Sequence, residues 1–350
     1  MDLGAIETTA CIRMERGAYD YIAGGAFDEI TLAANVADWA KVRLRPRVLR
    51  AVGTVDTATT LLGTPVASPI GVAPTAFHRL AHPEGEEATA AGAAAAGAIY
   101  VLPTRSTTSV DDVASSLSGA PFWYQVYVLT DRGFTGELVD RAVAAGASAL
   151  VLAGDTPVLV RRLRDLVNAF ELPSNLGAVE SFDRPGNLAD QDPNITFDEI
   201  GWLAERSGLP VVVKGVLRAD DAAQCVQAGA RAVWVSNHGG RQLDGAISTA
   251  EALPEVCEAV VADCEVYVDG GIRRGTDVLK ALAMGARAAF LGRPVIWGLA
   301  TGGAEGVREV LRGLCDELEL AMQLAGAASL DEVTGDLLRV GPPRGEGRGG

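Results

Sequence analysis

The chain has 350 residues, 48% of them hydrophobic, and a formal net charge of −15. Such an acidic excess argues against nucleic acid and anionic membrane surfaces as partners, while leaving room for an anionic ligand in a local basic site. No apolar run is long enough to span a bilayer, and the N-terminus lacks the pattern of a signal peptide, so a cytoplasmic protein with no membrane partner is expected.

The cysteines are Cys11, Cys225, Cys257, Cys264 and Cys315, with no Cys-x-x-Cys pair; the histidines are His78, His82 and His238. Neither set has the number or spacing of a disulfide framework or a metal cage, and no metal is expected.

Residues up to about Gly53 read as helical and then irregular, with Tyr19, Tyr21 and Ile22 ahead of Ala23-Gly24-Gly25. A second helical pattern at 31–39 leads into the basic stretch 43–50, and alternation near 55–65 predicts a hairpin that closes one end of a barrel. Short apolar, β-rich runs then appear at 69–74, 98–103, 122–128, 149–155, 210–215, 232–237, 265–270 and 288–293. Most are spaced by about 22 to 33 residues, the length of a strand, a helix and two short loops. Ala-rich helical patterns lie between them, clearly so at 84–96, 220–229 and 276–285. Eight strands alternating with helices predict an α/β fold, a (β/α)8 TIM barrel over about 66–325, within a single domain of 1–340. An open doubly wound sheet is disfavoured by the eight runs and the lack of an early dinucleotide fingerprint.

One interval is longer, about 55 residues between the fourth and fifth runs. Its Pro-, Asn-, Asp- and Gly-rich part predicts a lid-like loop over about 171–199, leaving the face where barrel active sites lie. Residues 341–350 are Gly-, Pro- and Arg-rich and predict a disordered tail.

Chemistry collects at the ends of the runs. The sixth leads into Ser236-Asn237-His238-Gly239-Gly240-Arg241-Gln242-Leu243-Asp244-Gly245. An imidazole that takes a proton near neutral pH there stands beside a guanidinium that clasps a carboxylate, a pairing suited to the carbon next to a carboxylate. The last two runs end in Asp269-Gly270-Gly271-Ile272-Arg273 and Gly292-Arg293, where backbone N–H groups and arginines can hold a phosphate. Lys214 ends an apolar run, so it is partnered, held against negative charge, or a Schiff-base lysine of a barrel lyase. Asp155 can accept from His238 and fix its tautomer, and Arg162 is a candidate second clamp for a carboxylate.

Together these residues resemble the FMN-dependent 2-hydroxy-acid oxidase and dehydrogenase family, which includes glycolate-, lactate- and mandelate-oxidising enzymes. The resemblance runs from about Tyr19 to about Leu324. It rests on Tyr-Asp-Tyr at 19–21, Ala-Pro-Thr-Ala at 73–76, Ala-His-Pro-Glu-Gly-Glu at 81–86 and Tyr-Gln-Val-Tyr at 124–127. Asp-Thr-Pro at 155–157, Lys-Gly-Val at 214–216, the 236–244 signature and Asp-Gly-Gly-Ile-Arg-Arg-Gly at 269–275 continue it.

The resemblance implies FMN as cofactor and a small 2-hydroxy acid as substrate, with O2 or another electron acceptor such as a quinone. It makes His238 the base, Asp155 its partner, Arg241 and Arg162 the carboxylate clamp, and Tyr21 and Tyr127 the contacts to substrate carboxylate and hydroxyl. Lys214 would face the N1–C2 carbonyl edge of the flavin, with Thr75, Ala76, Gln125 and Ser236 also on the cofactor. Asp269, Gly271, Arg273, Gly292 and Arg293 would hold the ribityl phosphate. A homotetramer is implied by the same analogy.

The chain departs from the family at three places. Pro103 and Ala153 stand where the family usually has hydroxyl residues near the flavin's reactive edge, which implies altered potential and oxygen reactivity, or redirected chemistry. Arg105 stands where glycolate oxidases carry a Trp lining the substrate pocket; turned inward, it implies a substrate with a second anionic or strongly polar group. The stretches 161–165 and 292–297 look most like the bacterial hydroxymandelate oxidase branch.

Overall fold

The computed structural model describes residues 1–176 and 190–339. The predicted tail and residues 177–189 of the lid-like loop lie outside the described residues.

All eight apolar runs are strands: β3 (Ile70–Val72), β4 (Tyr100–Pro103), β5 (Phe122–Val126), β6 (Ala149–Ala153), β7 (Val211–Val216), β8 (Ala232–Val235), β9 (Glu265–Val268) and β10 (Ala288–Leu291). They close in sequence order, with β10 pairing β3, and every neighbouring pair is parallel. Each run is apolar on both faces because one face fills the barrel and the other meets the helical ring. The helices that return between successive strands are α4 (Gly85–Ala96), α5 (Val110–Ser116), α6 (Arg132–Ala144), α8 (Asp198–Ser207), α9 (Ala219–Gln227), α10 (Thr249–Val260) and α11 (Gly275–Ala283).

The barrel interior is aromatic. Trp123, Trp234, Tyr267 and Phe290 are buried against one another, with Trp234 and Phe290 ring centroids 4.1 Å apart. Gly71 makes this possible: a side chain there would overlap the Phe290 ring. Strand residues two apart share a face, so the polar residues Gln125, Lys214, Ser236 and Asp269 sit one layer above Trp123, Val212, Trp234 and Tyr267. A packed hydrophobic floor thus carries a polar ring at the C-terminal mouth.

The other mouth is closed by the predicted hairpin, β1 (Thr59–Leu61) and β2 (Thr64–Val66), paired antiparallel. Its tight turn uses positive φ at Leu62 (+48°) and Gly63 (+79°), which matches the twist of two-residue hairpins. Leu61 is fully buried against the barrel interior, and the Glu265 carboxylate accepts from the Leu62 N–H.

At the N-terminus, α1 (Leu3–Arg13), α2 (Arg16–Ala23) and α3 (Ile30–Lys41) precede the barrel. The Asp244 carboxylate accepts from the N–H groups of Asp28 and Thr31, holding the start of α3. Asn35 on α3 exchanges two amide hydrogen bonds with Asn237 (2.7 and 2.8 Å). Gly240, at φ +74°, has the Leu32 backbone N 2.6 Å from where a Cβ would stand, so only glycine admits α3 this close. Inside the long β6–β7 interval lies α7 (Leu163–Val167), tied to α2 by Arg164 with Asp20 and by Asn168 donating to Asp20 (2.8 Å). The final helix, α12 (Arg293–Ala325), breaks at Gly302–Gly303 and packs on α4 and α1.

Candidate active site

A cavity of about 480 Å³ opens at the C-terminal mouth of the barrel. It is lined by Tyr21, Thr75, Ala76, Arg105, Gln125 and Tyr127, by Arg162, Lys214, His238 and Arg241, and by Asp269, Gly271, Arg273, Gly292 and Arg293. Of the predicted site residues only Asp155 and Ser236 stand behind its wall. In a chain of net charge −15, the lining carries Arg105, Arg162, Lys214, Arg241, Arg273 and Arg293 against Asp165 and Asp269. This is a local basic well suited to anions.

His238 stands at the start of a turn in which it, Gly239 and Gly240 all have positive φ (+58°, +65° and +74°). Left-handed geometry at a non-glycine residue costs about 1–3 kcal/mol and persists where surrounding contacts impose it. Here the His238 N–H donates to the Ser236 hydroxyl (3.1 Å), and the Gly240 N–H donates to the Asn237 carbonyl (3.0 Å). The turn aims the imidazole across the mouth. Nδ1 faces the Asp155 carboxylate (3.1 and 3.2 Å), while Nε2 lies 3.4 Å from the Tyr127 hydroxyl at the cavity. Burial opposes ionisation of Asp155, but the attraction and hydrogen bond of His238, with Lys214 beyond, hold its carboxyl below the ordinary range. Burial, helped by Asp155, pushes the Tyr127 phenol well above its ordinary value, so it stays protonated.

Lys214 is a paired ammonium: Nζ lies 3.2 Å from Asp269 Oδ2 and donates to Ser236 Oγ (2.9 Å), which donates to Asp269 Oδ1 (2.7 Å). The triad holds Lys214 Nζ in place at the cavity edge, engaged by two partners.

Two arginines receive the end of α2. Arg241 Nη1 donates to the carbonyls of Tyr21 (2.7 Å) and Gly24 (2.8 Å). Arg293 donates to those of Ile22 (3.0 Å), Gly24 (2.7 Å) and Gly239 (2.9 Å). Cations at a helix C-terminus satisfy its last carbonyls and its dipole; here they fix Tyr21 over the cavity. Burial, reinforced by Arg162, lowers the Arg241 guanidinium to about 10, and burial followed by Arg241 and Arg273 pushes Arg293 well down. The Arg162 guanidinium lies 4.4 Å and that of Arg241 5.2 Å from the Tyr21 ring centroid, and Arg162 pairs with Asp165 (2.7 Å). Arg273 is buried, with Nη1 on the Ile272 carbonyl (3.0 Å). A Cβ at Gly271 would collide with the Asn35 carbonyl, so that glycine answers to the packing of α3.

A flavin mononucleotide would find its partners in this lining. Gln125 is 2% exposed, and its Nε2 has no hydrogen-bond partner although its Oε1 accepts from Thr104 N–H (3.3 Å). A buried amide donor left without a partner in the cavity wall matches the rim of a heteroaromatic ring rich in acceptors. The Lys214 ammonium offers positive charge beside it, and the arginine-bearing ends of β9 and β10 offer charge for a phosphate. The residues present fit the group.

Two further residues, Glu86 and Thr104, shape the site through partners that the sequence does not reveal. Glu86 is fully buried, and its carboxylate accepts from His78 N–H (3.0 Å), Thr107 N–H (2.9 Å), Thr107 Oγ1 and Thr108 Oγ1 (3.1 Å). It joins the loop after β3 to the loop after β4, both of which line the cavity. A carboxylate in the first turn of an Ala-rich helix reads as solvated, and only the buried neighbours reveal otherwise. Thr104 donates to the Gln125 carbonyl (2.5 Å) and accepts from Tyr127 N–H (3.1 Å), setting the register of the two strand ends.

Such a site has the groups a barrel enzyme needs to bind an anionic substrate and a phosphate-bearing cofactor beside an imidazole. The family model for FMN-dependent dehydrogenases matches residues 10–340, and the chain belongs to that family. It is 47% identical to an L-lactate oxidase of Nostoc sp., over 97% of this chain and 98% of the relative. It is 48% identical to a peroxisomal (S)-2-hydroxy-acid oxidase of Oryza sativa subsp. japonica, over 91% of this chain and 90% of the relative. A solved mandelate oxidase with (S)-2-phenylpropionate superimposes with a TM-score of 0.89 at 42% identity, covering 96% of this chain and 97% of that one.

Proposed function

We propose that this protein oxidises an L-2-hydroxy acid to the 2-oxo acid with bound FMN, passing electrons to O2 and releasing hydrogen peroxide. The observation that carries this is the imidazole of His238, backed by Asp155 on Nδ1 and facing Tyr127 at Nε2, at the edge of an arginine-lined cavity.

When bound, FMN supplies the two-electron acceptor that the side chains of this site lack. Thr75, Ala76, Gln125, Lys214 and Ser236 would hold its ring system, and Asp269, Gly271, Arg273, Gly292 and Arg293 its ribityl phosphate. Arg162 and the Arg241 donors not spent on α2 carbonyls take the substrate carboxylate, next to Tyr21. The Tyr127 phenol, kept protonated by its surroundings, orients the hydroxyl. His238 Nε2 takes the hydroxyl proton, and the imidazolium so formed is stabilised by Asp155. In balance, the substrate loses the O–H proton and the Cα hydrogen with two electrons; O2 gains two electrons and two protons.

Pro103 and Ala153 both line the cavity and offer no side-chain hydrogen bond there. This favours a second reading within the same chemistry, a dehydrogenase that uses a quinone or another acceptor, because hydrogen bonds around a flavin tune its reactivity. The two readings separate in one experiment. The visible spectrum is followed anaerobically while 2-hydroxy acids are added singly, and air is then admitted. Bleaching with prompt return supports the oxidase, and bleaching without return supports the dehydrogenase. A protein that neither carries nor takes up FMN refutes both.

Residues 1–340 are read as a single domain working in the cytoplasm; no helix among the described residues is long and apolar enough to cross a membrane. Self-association, a tetramer by analogy, is supported by α7, which buries none of its own residues, by its exposed Leu166 and Val167, and by exposed Val158 ahead of it. Sedimentation of the purified protein tests this.

A further inference from the structure

The reaction proposed above gives a role to every cation that lines the cavity except Arg105. Arg162 and Arg241 stand on the Tyr21 ring, whereas the Arg105 guanidinium stands on the Tyr127 ring, 5.7 Å from its centroid. The hydroxyl of that same Tyr127 is 3.4 Å from His238 Nε2, so Arg105 and the proposed base meet the same side chain.

Its position is imposed by the fold. The Arg105 carbonyl accepts from Phe77 N–H (3.1 Å), and the preceding Thr104 is bonded to Gln125 and Tyr127 on β5 and its end. Among the described residues no carboxylate pairs with Arg105, whereas the neighbouring arginines Arg162 and Arg164 are paired with Asp165 and with Asp20 and Glu29. A guanidinium in a cavity wall without a counter-ion is a site for an anion.

A second polar group stands in the same wall. Gln191 is held by a bridge to Leu129, flanked by Thr130 N–H on the Asp190 carbonyl (2.8 Å) and Asp192 N–H on the Val128 carbonyl (2.9 Å). Its Oε1 is buried and has no hydrogen-bond partner. The amide is two-fold in shape, so a half-turn about its last torsion presents N–H in place of oxygen to the same space.

We infer that Arg105 and Gln191 form a second subsite for the far end of the substrate, and that the substrate is a short 2-hydroxy acid carrying a second carboxylate. The inference rests on the 2-hydroxy-acid reading above. With the first carboxylate at the Tyr21 pole and the hydroxyl at His238 and Tyr127, the second carboxylate reaches Arg105 and takes a further bond from Gln191. Leu159 and Val160 flank the methylenes between. An alkyl or aryl end group would instead press hydrocarbon against an unpaired guanidinium and an unpaired amide, the costlier arrangement.

The test compares kcat/KM for L-malate, L-2-hydroxyglutarate, L-lactate and L-mandelate in the wild type, Arg105→Met, Arg105→Lys and Gln191→Leu. The wild type is expected to prefer one of the two dicarboxylates to lactate and mandelate. Loss of a charge-assisted hydrogen bond predicts that Arg105→Met lowers the dicarboxylate-to-lactate ratio by roughly 10- to 150-fold. Arg105→Lys should recover part of it, and Gln191→Leu should lower the ratio less than Arg105→Met does. Binding of glutarate, which lacks the reacting hydroxyl, should weaken in Arg105→Met by a similar factor when followed by calorimetry. An unchanged ratio in Arg105→Met, or a wild type that prefers lactate or mandelate, overturns the subsite and leaves the 2-hydroxy-acid reading standing. If none of the four reduces the flavin of the wild type, the parent reading fails and the subsite with it.

Discussion

Gly215 has no side chain at the point where a Cβ would overlap the Cβ and Cγ of Asp155, and its φ is +108°. The register of β7 against β8 shifts at this residue. A bulge at a glycine thus lets Asp155, after β6, reach His238, after β8, across the end of β7 between them. Gly215→Ala should push the carboxylate off Nδ1 and strain the backbone, costing about 1–3 kcal/mol of stability. Substrate-dependent flavin reduction in stopped flow should slow by at least tenfold. A variant that is less stable yet reduces at the wild-type rate would show that the contact is only structural.

The proposed base is tested by His238→Ala. Its imidazole is bonded to Asp155 and Tyr127, both beyond the ends of their strands, so FMN should still be retained. General-base catalysis is worth about 10²–10⁴-fold, and flavin reduction by substrate should fall within that range. Reduction at a normal rate would remove His238 from the chemistry.

Acid should expose the Asp155–His238 pair. The folded carboxyl is held below its ordinary value, so the unfolded chain binds more protons in that window and stability rises with pH. The stabilisation is present above the unfolded value of about 4 and is lost as pH falls through the lower folded value. In Asp155→Asn that contribution is gone. The Tm difference between wild type and variant should therefore be larger at pH 7 than at pH 3; a constant difference would mean that Asp155 is not stabilised in its ionised form.

Glu86 offers a test away from the reacting atoms. Removing its carboxylate strands four donors, and each buried donor without a partner costs about 1–3 kcal/mol. Glu86→Ala should lower the denaturation midpoint markedly, and Glu86→Gln, which keeps one acceptor oxygen, should lower it less. Equal midpoints in the two variants would contradict the hydrogen-bond account.

Much of this molecule is legible from local pattern. Apolar runs and their spacing mark all eight barrel strands, and the alternation at 55–65 marks the hairpin beneath them, because pleat and helical pitch are short-range properties of the chain. The predicted helices differ from α4, α9 and α11 by one or two residues at their ends, where capping rather than periodicity decides. The residues lining the mouth follow for the same reason: in a barrel they occupy the ends of the strands.

Partner choice was decided elsewhere. That His238 meets Asp155, 83 residues earlier, and that Arg241 and Arg293 bind the carbonyls of α2, more than 200 residues earlier, depends on strand register and on how α3 docks. The same holds for Glu86, whose burial is a property of two loops brought together, and for Arg105, whose direction was open in the sequence. Residue type and local period are written along the chain and act over a few residues, so the sequence by itself determined the barrel and the inventory of its mouth. Which donor faces which acceptor is set by closure of the barrel, and that is a property of the whole tertiary structure.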